Sequence, residues 1–98
     1  MILHTVNRAP GSHAALQQCI QALSGPAALL LIEDGVYGAT PAFTRLFHRL
    51  DGTVHCYVLA ADLQARGIDA LVDGRFQVID DAAFVQLSLD CDKMVAWY

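Results

Sequence analysis

The sequence predicts a three-layer α/β/α domain built on a mainly parallel, five-stranded sheet. Segments typical of strands alternate with segments typical of helices along the chain, which implies a parallel sheet covered on both faces. The run Ala27–Ile32 is apolar without polar alternation, the pattern of a strand buried on both faces. The 98 residues suffice for one domain and leave no room for a second, so we expect a single domain over residues 1–98.

The first two elements are a short strand and an amphipathic helix. Ile2–Val6 is apolar and predicts the first strand, and the loop Asn7–Ser12 ends in a serine that can cap the next helix. Ser24–Pro26 ends this helix, because glycine past the last turn and a following proline are typical stop signals. The apolar stripe of the helix has the spacing i, i+3, i+4 and i+7 and comprises Leu16, Cys19, Ile20 and Leu23.

A buried strand and a second helix follow. Ala27–Ile32 is the second strand, and its continuous apolar character predicts a central position in the sheet. Thr40 is the expected cap of the next helix, with Pro41 at its first position. The helical spacing of the apolar residues there continues through Phe43, Leu46, Phe47 and Leu50.

The last part of the chain repeats the alternation. Thr53–Leu59 is rich in β-formers and predicts the third strand, and Ala60–Arg66 predicts a short helix. Phe76–Ile79 is the fourth strand, and Asp80 is the expected cap of a helix that reaches about Leu89. Met94–Tyr98 completes the pattern as a short terminal strand. The order of the strands in the sheet does not follow from the sequence.

Composition and charge restrict the possible partners. The chain carries six basic and ten acidic residues, a formal net charge of −4, and we expect no direct binding of nucleic acid because no basic cluster is visible. Hydrophobic residues make up 55% of this short chain, which suggests that some of them are buried against another subunit. No run approaches the length of a membrane helix and no targeting segment is visible, so we expect no membrane association.

Cys19 is the first candidate for chemistry. The three cysteines are odd in number and widely spaced, which argues against a disulfide framework and favours a reducing, cytoplasmic setting. Cys19 lies on the apolar helix stripe, where a small buried side chain is one interpretation and a sulfur-accepting or redox thiol is the other. Cys56 lies within the third predicted strand and is expected in the core, and Cys91 is flanked by two carboxylates.

Three further features are candidates for binding. Glu33 and Asp34 follow the buried strand directly, where a catalytic carboxylate pair, a capping role or an interface role are all open. The Asn7–Ser12 loop could hold an anion at a helix N-terminus, although it has no GxGxxG or P-loop pattern. No histidine shows a metal-ligand spacing, so we expect neither a metal nor a cofactor. Trp97 and Tyr98 end the chain as aromatic residues of the kind that interfaces favour.

Four stretches, in this order and covering nearly all of the chain, resemble the TusB/DsrH family of sulfur-relay subunits. They are Leu3–Pro10, Leu29–Tyr37, Tyr57–Gly67, and the end of the chain with Phe84–Leu87 and Met94–Trp97. The resemblance implies a DsrE-like α/β domain in a cytoplasmic heterohexamer with TusC/DsrF-like and TusD/DsrE-like subunits. It further implies a complex that carries persulfide sulfur toward 2-thiolation of the tRNA wobble uridine, or the related Dsr complex that oxidises stored sulfur.

The resemblance also implies which subunit carries the sulfur. The TusD/DsrE-type sister subunit has its persulfide cysteine at a strand-to-helix turn, before an arginine-glycine pair that resembles Arg66-Gly67. The same turn here reads Leu59-Ala60-Ala61 and has no thiol, and Cys56 lies earlier, inside the strand. The chain is therefore expected to be an accessory or docking subunit. Some related members have a cysteine near the position of Cys19, which keeps that thiol as a candidate sulfur acceptor.

The docking interpretation predicts where the interface lies. We expect Trp97, Tyr98 and Tyr37 near subunit contacts, with Glu33 and Asp34 toward a polar rim. Self-association of the isolated chain remains open. Two other functions also remain open, a stand-alone sulfurtransferase that uses Cys19 and a small nucleotide- or flavin-binding domain that uses the Asn7–Ser12 loop.

Overall fold

The computed structural model describes all residues from Met1 to Tyr98 and contains one five-stranded sheet. The strands are β1 (Ile2–Val6), β2 (Ala27–Leu31), β3 (Val54–Leu59), β4 (Gln77–Ile79) and β5 (Lys93–Trp97). The α-helices are α1 (Ala15–Ala22), α2 (Ala60–Ala65) and α3 (Asp81–Asp90). Three 3₁₀ helices cover Glu33–Ala39, Pro41–Phe47 and Asp69–Leu71.

The strand order is β4-β3-β2-β1-β5, and every pair of neighbours is parallel. From β1 to β4 each strand lies beside its predecessor in the same direction, whereas β5 returns to the far side of β1. Right-handed crossovers place the connections of the first four strands on one face of the sheet and the returning connection on the other. Hence α1, α2 and the 3₁₀ helix Pro41–Phe47 cover one face, and α3 alone covers the opposite face.

The two faces have cores of unequal size. The α1 face holds a cluster of 15 buried residues, and the α3 face holds a cluster of 5. β2 lies in the middle of the sheet, and Leu29, Leu30 and Leu31 are fully buried, alternating between the two clusters. The predicted α/β/α architecture and the central position of this strand are confirmed. The strand ends at Leu31, one residue before the predicted end.

The start of α1 differs from the prediction. The helix begins at Ala15 with Ala14 at the cap position, and no side chain caps it. Ser12 does not reach the helix, since its hydroxyl lies 3.0 Å from Nδ1 of the adjacent His13. The backbone amide of His13 instead donates to the carbonyl of Ala9, so a turn occupies the chain where the capped helix was expected.

The helix predicted after Thr40 is also different. The segment Pro41–Phe47 is a 3₁₀ helix rather than an α-helix, and it ends before Leu50. The Thr40 hydroxyl donates to the carbonyl of Tyr37 at 2.7 Å and so serves the preceding 3₁₀ helix instead of capping this one. Phe47 is buried all the same, against the edge of the Phe76 ring at a centroid distance of 5.0 Å. The apolar spacing identified Phe47 correctly as a buried side chain, whereas Phe43, Leu46 and Leu50 are only partly buried and the helix type was wrong.

The remaining elements agree with the prediction within one or two residues. α2 follows β3 without an intervening loop, as Ala60 directly succeeds Leu59. Asp80 caps α3 as expected, because its carboxylate accepts a hydrogen bond from the backbone amide of Ala83 at 2.8 Å. None of the helices is long and apolar enough to cross a membrane.

Candidate functional site

The carboxyl ends of all five strands lie at one edge of the parallel sheet, which we call the carboxyl edge. In open α/β sheets this edge is where ligands and partners gather. Glu33 and Asp34 follow β2 there, and the Leu59-Ala60-Ala61 turn follows the neighbouring strand β3. The topology therefore brings the acidic pair and the turn without a thiol next to each other.

The acidic pair is tied to α2 by ionic and hydrogen bonds. Asp34 Oδ1 accepts from Nε and Nη2 of Arg66 at 3.0 and 2.8 Å. Nη1 of the same guanidinium donates to the carbonyl of Asp62 at 3.1 Å. The Asp62 carboxylate in turn accepts from the backbone amide of Glu33 at 2.7 Å. The Asp34 carboxylate and the Glu33 backbone amide thus connect the end of β2 to α2 within this chain.

Gly35 allows this arrangement because the backbone passes very close to β1. A Cβ built at Gly35 would lie 2.2 Å from the carbonyl oxygen of Val6, which is far inside contact distance. Glu33, two residues earlier, has a φ of 50°, a left-handed conformation that non-glycine residues seldom adopt. The Glu-Asp-Gly sequence therefore forms a tight turn at the carboxyl edge, and this turn requires glycine at position 35.

The β3–α2 turn contains only apolar side chains. Leu59 is buried, Ala60 is partly buried and Ala61 is exposed. Cys56, the nearest cysteine in sequence, is 6% exposed and belongs to the core on the α1 face. Burial raises the pKa of its thiol. The β3–α2 turn therefore lies at the carboxyl edge but contains no nucleophilic side chain.

The other two thiols are also poor nucleophiles in the isolated chain. Cys19 is fully buried, as its place on the α1 stripe suggests, and burial raises the pKa of its thiol to about 12. Cys91 is partly exposed, and burial together with Asp90 and Asp92 raises the pKa of its thiol against the opposing effect of the N-terminal ammonium. A reactive thiol needs both thiolate character and access. None of the three cysteines combines these properties here.

Substitution of Cys19 separates its packing role from a role in sulfur transfer. Cys19→Ser should destabilise the isolated domain by about 1–3 kcal/mol, because it places a hydroxyl in an apolar site. Assembly with the subunits that the sequence resemblance implies should stay largely intact, since Cys19 is fully buried inside this chain. Urea unfolding and size-exclusion chromatography measure the two effects, with Cys19→Ala as a control that lacks both sulfur and hydroxyl. Persulfide on Cys19 after incubation of the protein with a sulfur donor would instead make it a sulfur-accepting thiol.

The aromatic interface candidates Tyr37, Trp97 and Tyr98 differ in the exposed fraction of their side chains. Tyr98 is 76% exposed and Tyr37 is 37% exposed. Trp97 is partly buried against the α1-face core, and its indole Nε1–H donates to Nδ1 of His4 at 3.2 Å. Trp97 therefore packs against and bonds to its own domain, a structural role that the sequence did not indicate.

The Trp97–His4 bond predicts a pH-dependent fluorescence signal. His4 accepts at Nδ1, so its imidazole must be neutral, and burial lowers its pKa below the ordinary value of 6.5. The contribution of neutral His4 to stability is complete above 6.5 and is lost as pH falls through the lower folded-state pKa. The emission of Trp97, the only tryptophan, should change as the pH falls below 6.5 and His4 gains its proton.

His4→Leu is the control for this titration, because it removes the imidazole and retains an apolar side chain of similar size. The emission of the variant should be flat over the same pH range. An equal pH response in the variant would assign the signal to another group.

Sequence reasoning missed a set of exposed apolar residues on and beside α3. Val85 and Leu89 are 57% and 73% exposed on the outer side of the helix, and Met94 of β5 is 56% exposed. Phe84 and Leu87 of the same helix pack inward against the α3-face core. Apolar residues thus occur on both sides of α3. This distribution is visible in the sequence and could have identified the outer surface.

The alternative sites receive no structural support. In the Asn7–Ser12 loop, the serine bonds to its neighbour and α1 starts only at Ala15, so the loop does not lead directly into the helix N-terminus. Nowhere in the chain do three or more histidine, cysteine or acidic side chains lie together as metal ligands would.

Comparison with known proteins agrees with this architecture. The family model described as "DsrH like protein" matches residues 8–94. The chain is 32% identical over 96 residues to "Protein TusB" of Pectobacterium parmentieri, with 98% of this chain and 100% of that protein covered. It is 33% identical over 98 residues to "Protein TusB" of Escherichia coli K12, with the same coverage.

Two solved structures share the fold. The YchN protein of Escherichia coli superimposes with a TM-score of 0.75 at 19% identity, covering 97% of both chains. Protein Tm0979 of Thermotoga maritima superimposes with a TM-score of 0.66 at 21% identity, covering 91% of this chain and 92% of that one. At these identities the similarity establishes the fold alone.

The fold and the carboxyl edge define a small α/β domain with an all-parallel, five-stranded sheet and no cysteine at its β3–α2 turn. Within this class, the chain belongs to the TusB/DsrH family. Membership of the family supports a role as a subunit of a sulfur relay, as the sequence resemblance implied.

Proposed function

We propose that this protein is an accessory subunit of a cytoplasmic sulfur-relay complex. It holds and orients TusC/DsrF-like and TusD/DsrE-like subunits in a heterohexamer, and the TusD/DsrE-like subunit carries the persulfide. The complex delivers sulfur for 2-thiolation of the tRNA wobble uridine, and the related sulfur-oxidation complex is the other setting in which such a subunit serves.

The observation that carries this proposal is the β3–α2 turn. Ala60 and Ala61 occupy the place at the carboxyl edge where a sister subunit would present its thiol. Persulfide transfer needs an accessible thiolate, and the only thiols of this chain have a raised pKa and are buried or partly buried. The chain thus has the fold of a sulfur-carrying subunit but lacks its nucleophile. These two properties are the ones expected of an accessory subunit.

A docking role is further supported by the surface of the domain. Exposed apolar side chains are costly for an isolated chain, and contiguous apolar surfaces commonly mark contacts with other proteins. The exposed set here includes Tyr98, Leu89 and Val85. α3 has no other helix beside it on its face of the sheet, so its outer side is available to a partner.

Deletion and complementation test the proposal in cells. A strain that lacks this chain should lose 2-thiouridine at the wobble position of tRNA, measured by mass spectrometry of digested tRNA. Wild-type protein and Cys19→Ala should both restore the modification, because the proposal assigns no sulfur-carrying role to this thiol. Unchanged thiolation after deletion would reject the tRNA pathway, and complementation by wild-type alone would reject the accessory role.

A further inference from the structure

A basic groove lies between α1 and the end of the 3₁₀ helix Pro41–Phe47, away from the carboxyl edge. Its volume is about 310 Å³. Arg45, His48 and Arg49 line the groove from the later segment, and Gln17 and Gln21 line it from α1. The hydrophobic part of the lining is Ile20 and Leu46. We call this feature the basic groove.

The charges of the basic groove are not neutralised by the protein. No acidic side chain lines it, and neither Arg45 nor Arg49 takes part in a salt bridge or a side-chain hydrogen bond. Arg66, by contrast, is paired with both Asp34 and Asp62. In a chain with a net charge of −4, two unpaired guanidinium groups on one groove form a local positive site.

Asp73 is an acidic residue that interacts electrostatically with His48 of the groove. Asp73 is close enough to His48 for that histidine to contribute to lowering the carboxyl pKa. Its oxygens are already used by the Thr44 hydroxyl at 3.1 Å and by the backbone amide of Arg75 at 2.9 Å. Asp73 therefore leaves the two arginines of the groove free for an external anion.

The composition of the groove fits a phosphate ester better than a bare anion. Guanidinium groups bind phosphate oxygens with paired, charge-assisted hydrogen bonds. The volume is at the lower end of the range for small-molecule sites, large enough for an organic body attached to the phosphate. Gln17 and Gln21 supply amide donors and acceptors of the kind that read a nucleobase or ribose, beside the apolar contact of Ile20 and Leu46.

We propose that the basic groove binds one nucleotide, with its phosphate on Arg45 and Arg49. The nucleotide is either a free mononucleotide or one unit of a single-stranded RNA. Binding of RNA would make the expectation of no nucleic-acid binding wrong, because the groove forms only where α1 packs against residues 45–49. An extended acidic peptide fits less well, because the other basic residues, Arg8, Arg66, Arg75 and Lys93, lie outside the groove and provide no continuous track. The proposal is independent of the sulfur-relay role, since it concerns a site remote from the β3–α2 turn.

Nuclear magnetic resonance titration of the full chain tests the proposal. The probes are uridine monophosphate, a short single-stranded oligouridine, uridine, inorganic phosphate and a short acidic peptide, all at low salt. Uridine monophosphate should shift amide resonances of α1 and of residues 45–49, and the affinity should fall as salt is added. Uridine and inorganic phosphate should each bind about tenfold more weakly or worse, because each lacks half of the contacts.

Matched arginine variants provide the control. Arg45→Gln combined with Arg49→Gln should weaken nucleotide binding by about tenfold or more. Arg8→Gln, which removes an exposed arginine outside the groove, should leave it unchanged. Both variants should fold as the wild type by circular dichroism, since all three arginines are exposed. Assembly with the partner subunits should be unaffected, which separates this test from the proposed function.

The outcomes are distinct. Binding of the oligonucleotide with the same dependence on Arg45 and Arg49 assigns the site to RNA, and binding of the mononucleotide alone assigns it to a free nucleotide. Equal affinity for inorganic phosphate and for uridine monophosphate would overturn the proposal, as would equal loss in the Arg8 variant. Binding of an acidic peptide in place of either nucleotide probe would overturn it as well.

Discussion

Gly35→Ala is expected to destabilise the domain by about 2–4 kcal/mol. The new methyl group would lie 2.2 Å from the carbonyl oxygen of Val6, and backbone atoms at that position cannot rotate away. The chain would have to move apart where β2 leaves the sheet, which also disturbs the Asp34–Arg66 ion pair. The loss in free energy of unfolding is measured by urea unfolding of the isolated chain, as a lower midpoint with an unchanged m-value.

Gly74→Ala is the matched control for this substitution. A Cβ at Gly74 meets no atom within 4 Å, and its backbone does not have a left-handed φ. Its unfolding free energy should stay within about 0.5 kcal/mol of the wild type. Equal stability of the two variants would show that the close approach of Gly35 to β1 does not exist in solution.

Trp97→Ala is expected to weaken association with the sister subunits by about 1–4 kcal/mol if the indole is an interface hot spot. Large aromatic side chains contribute strongly at the centres of interfaces, and Trp97 ends β5 at the carboxyl edge beside the exposed Tyr98. The domain should remain folded, although it loses the hydrogen bond to His4. Sedimentation with TusC- and TusD-like partners measures association, and circular dichroism of the isolated chain measures folding.

His4→Leu distinguishes an interface effect from an effect on the fold. This variant loses the same Trp97–His4 hydrogen bond but keeps the indole. We expect it to assemble almost normally. If His4→Leu weakened assembly as much as Trp97→Ala, the indole would act through the stability of β5 and not as an anchor.

The fold class was predictable because its strongest signals are local. The continuous apolar run of β2 indicates a strand that is buried on both faces. Asp80 is a helix cap whose hydrogen-bond partner, Ala83, lies only three residues away. The strand order was not predictable, since the return of β5 to the side of β1 depends on contacts between the two ends of the chain. The 3₁₀ form of Pro41–Phe47 also escaped prediction, because its spacing of buried residues resembles that of an α-helix.

The candidate site was predictable only in part. The Glu-Asp-Gly sequence at the end of β2 marked the carboxyl edge, and the absence of a thiol after β3 is a property of the sequence. The partner of Asp34 could not be deduced, since Arg66 lies 32 residues away and meets it only because β2 and β3 are neighbours. The basic groove depends in the same way on the packing of α1 against a later segment.

Mapping of persulfide sulfur within the assembled complex tests the accessory role most directly. The complex is incubated with a sulfur donor, and each subunit is weighed intact by mass spectrometry without reducing agent. We predict added sulfur on the cysteine of the TusD/DsrE-like subunit and none on Cys19, Cys56 or Cys91 of this chain. Added sulfur on any of these three that then passes to an acceptor, or sulfur transfer by the isolated chain, would contradict the accessory role.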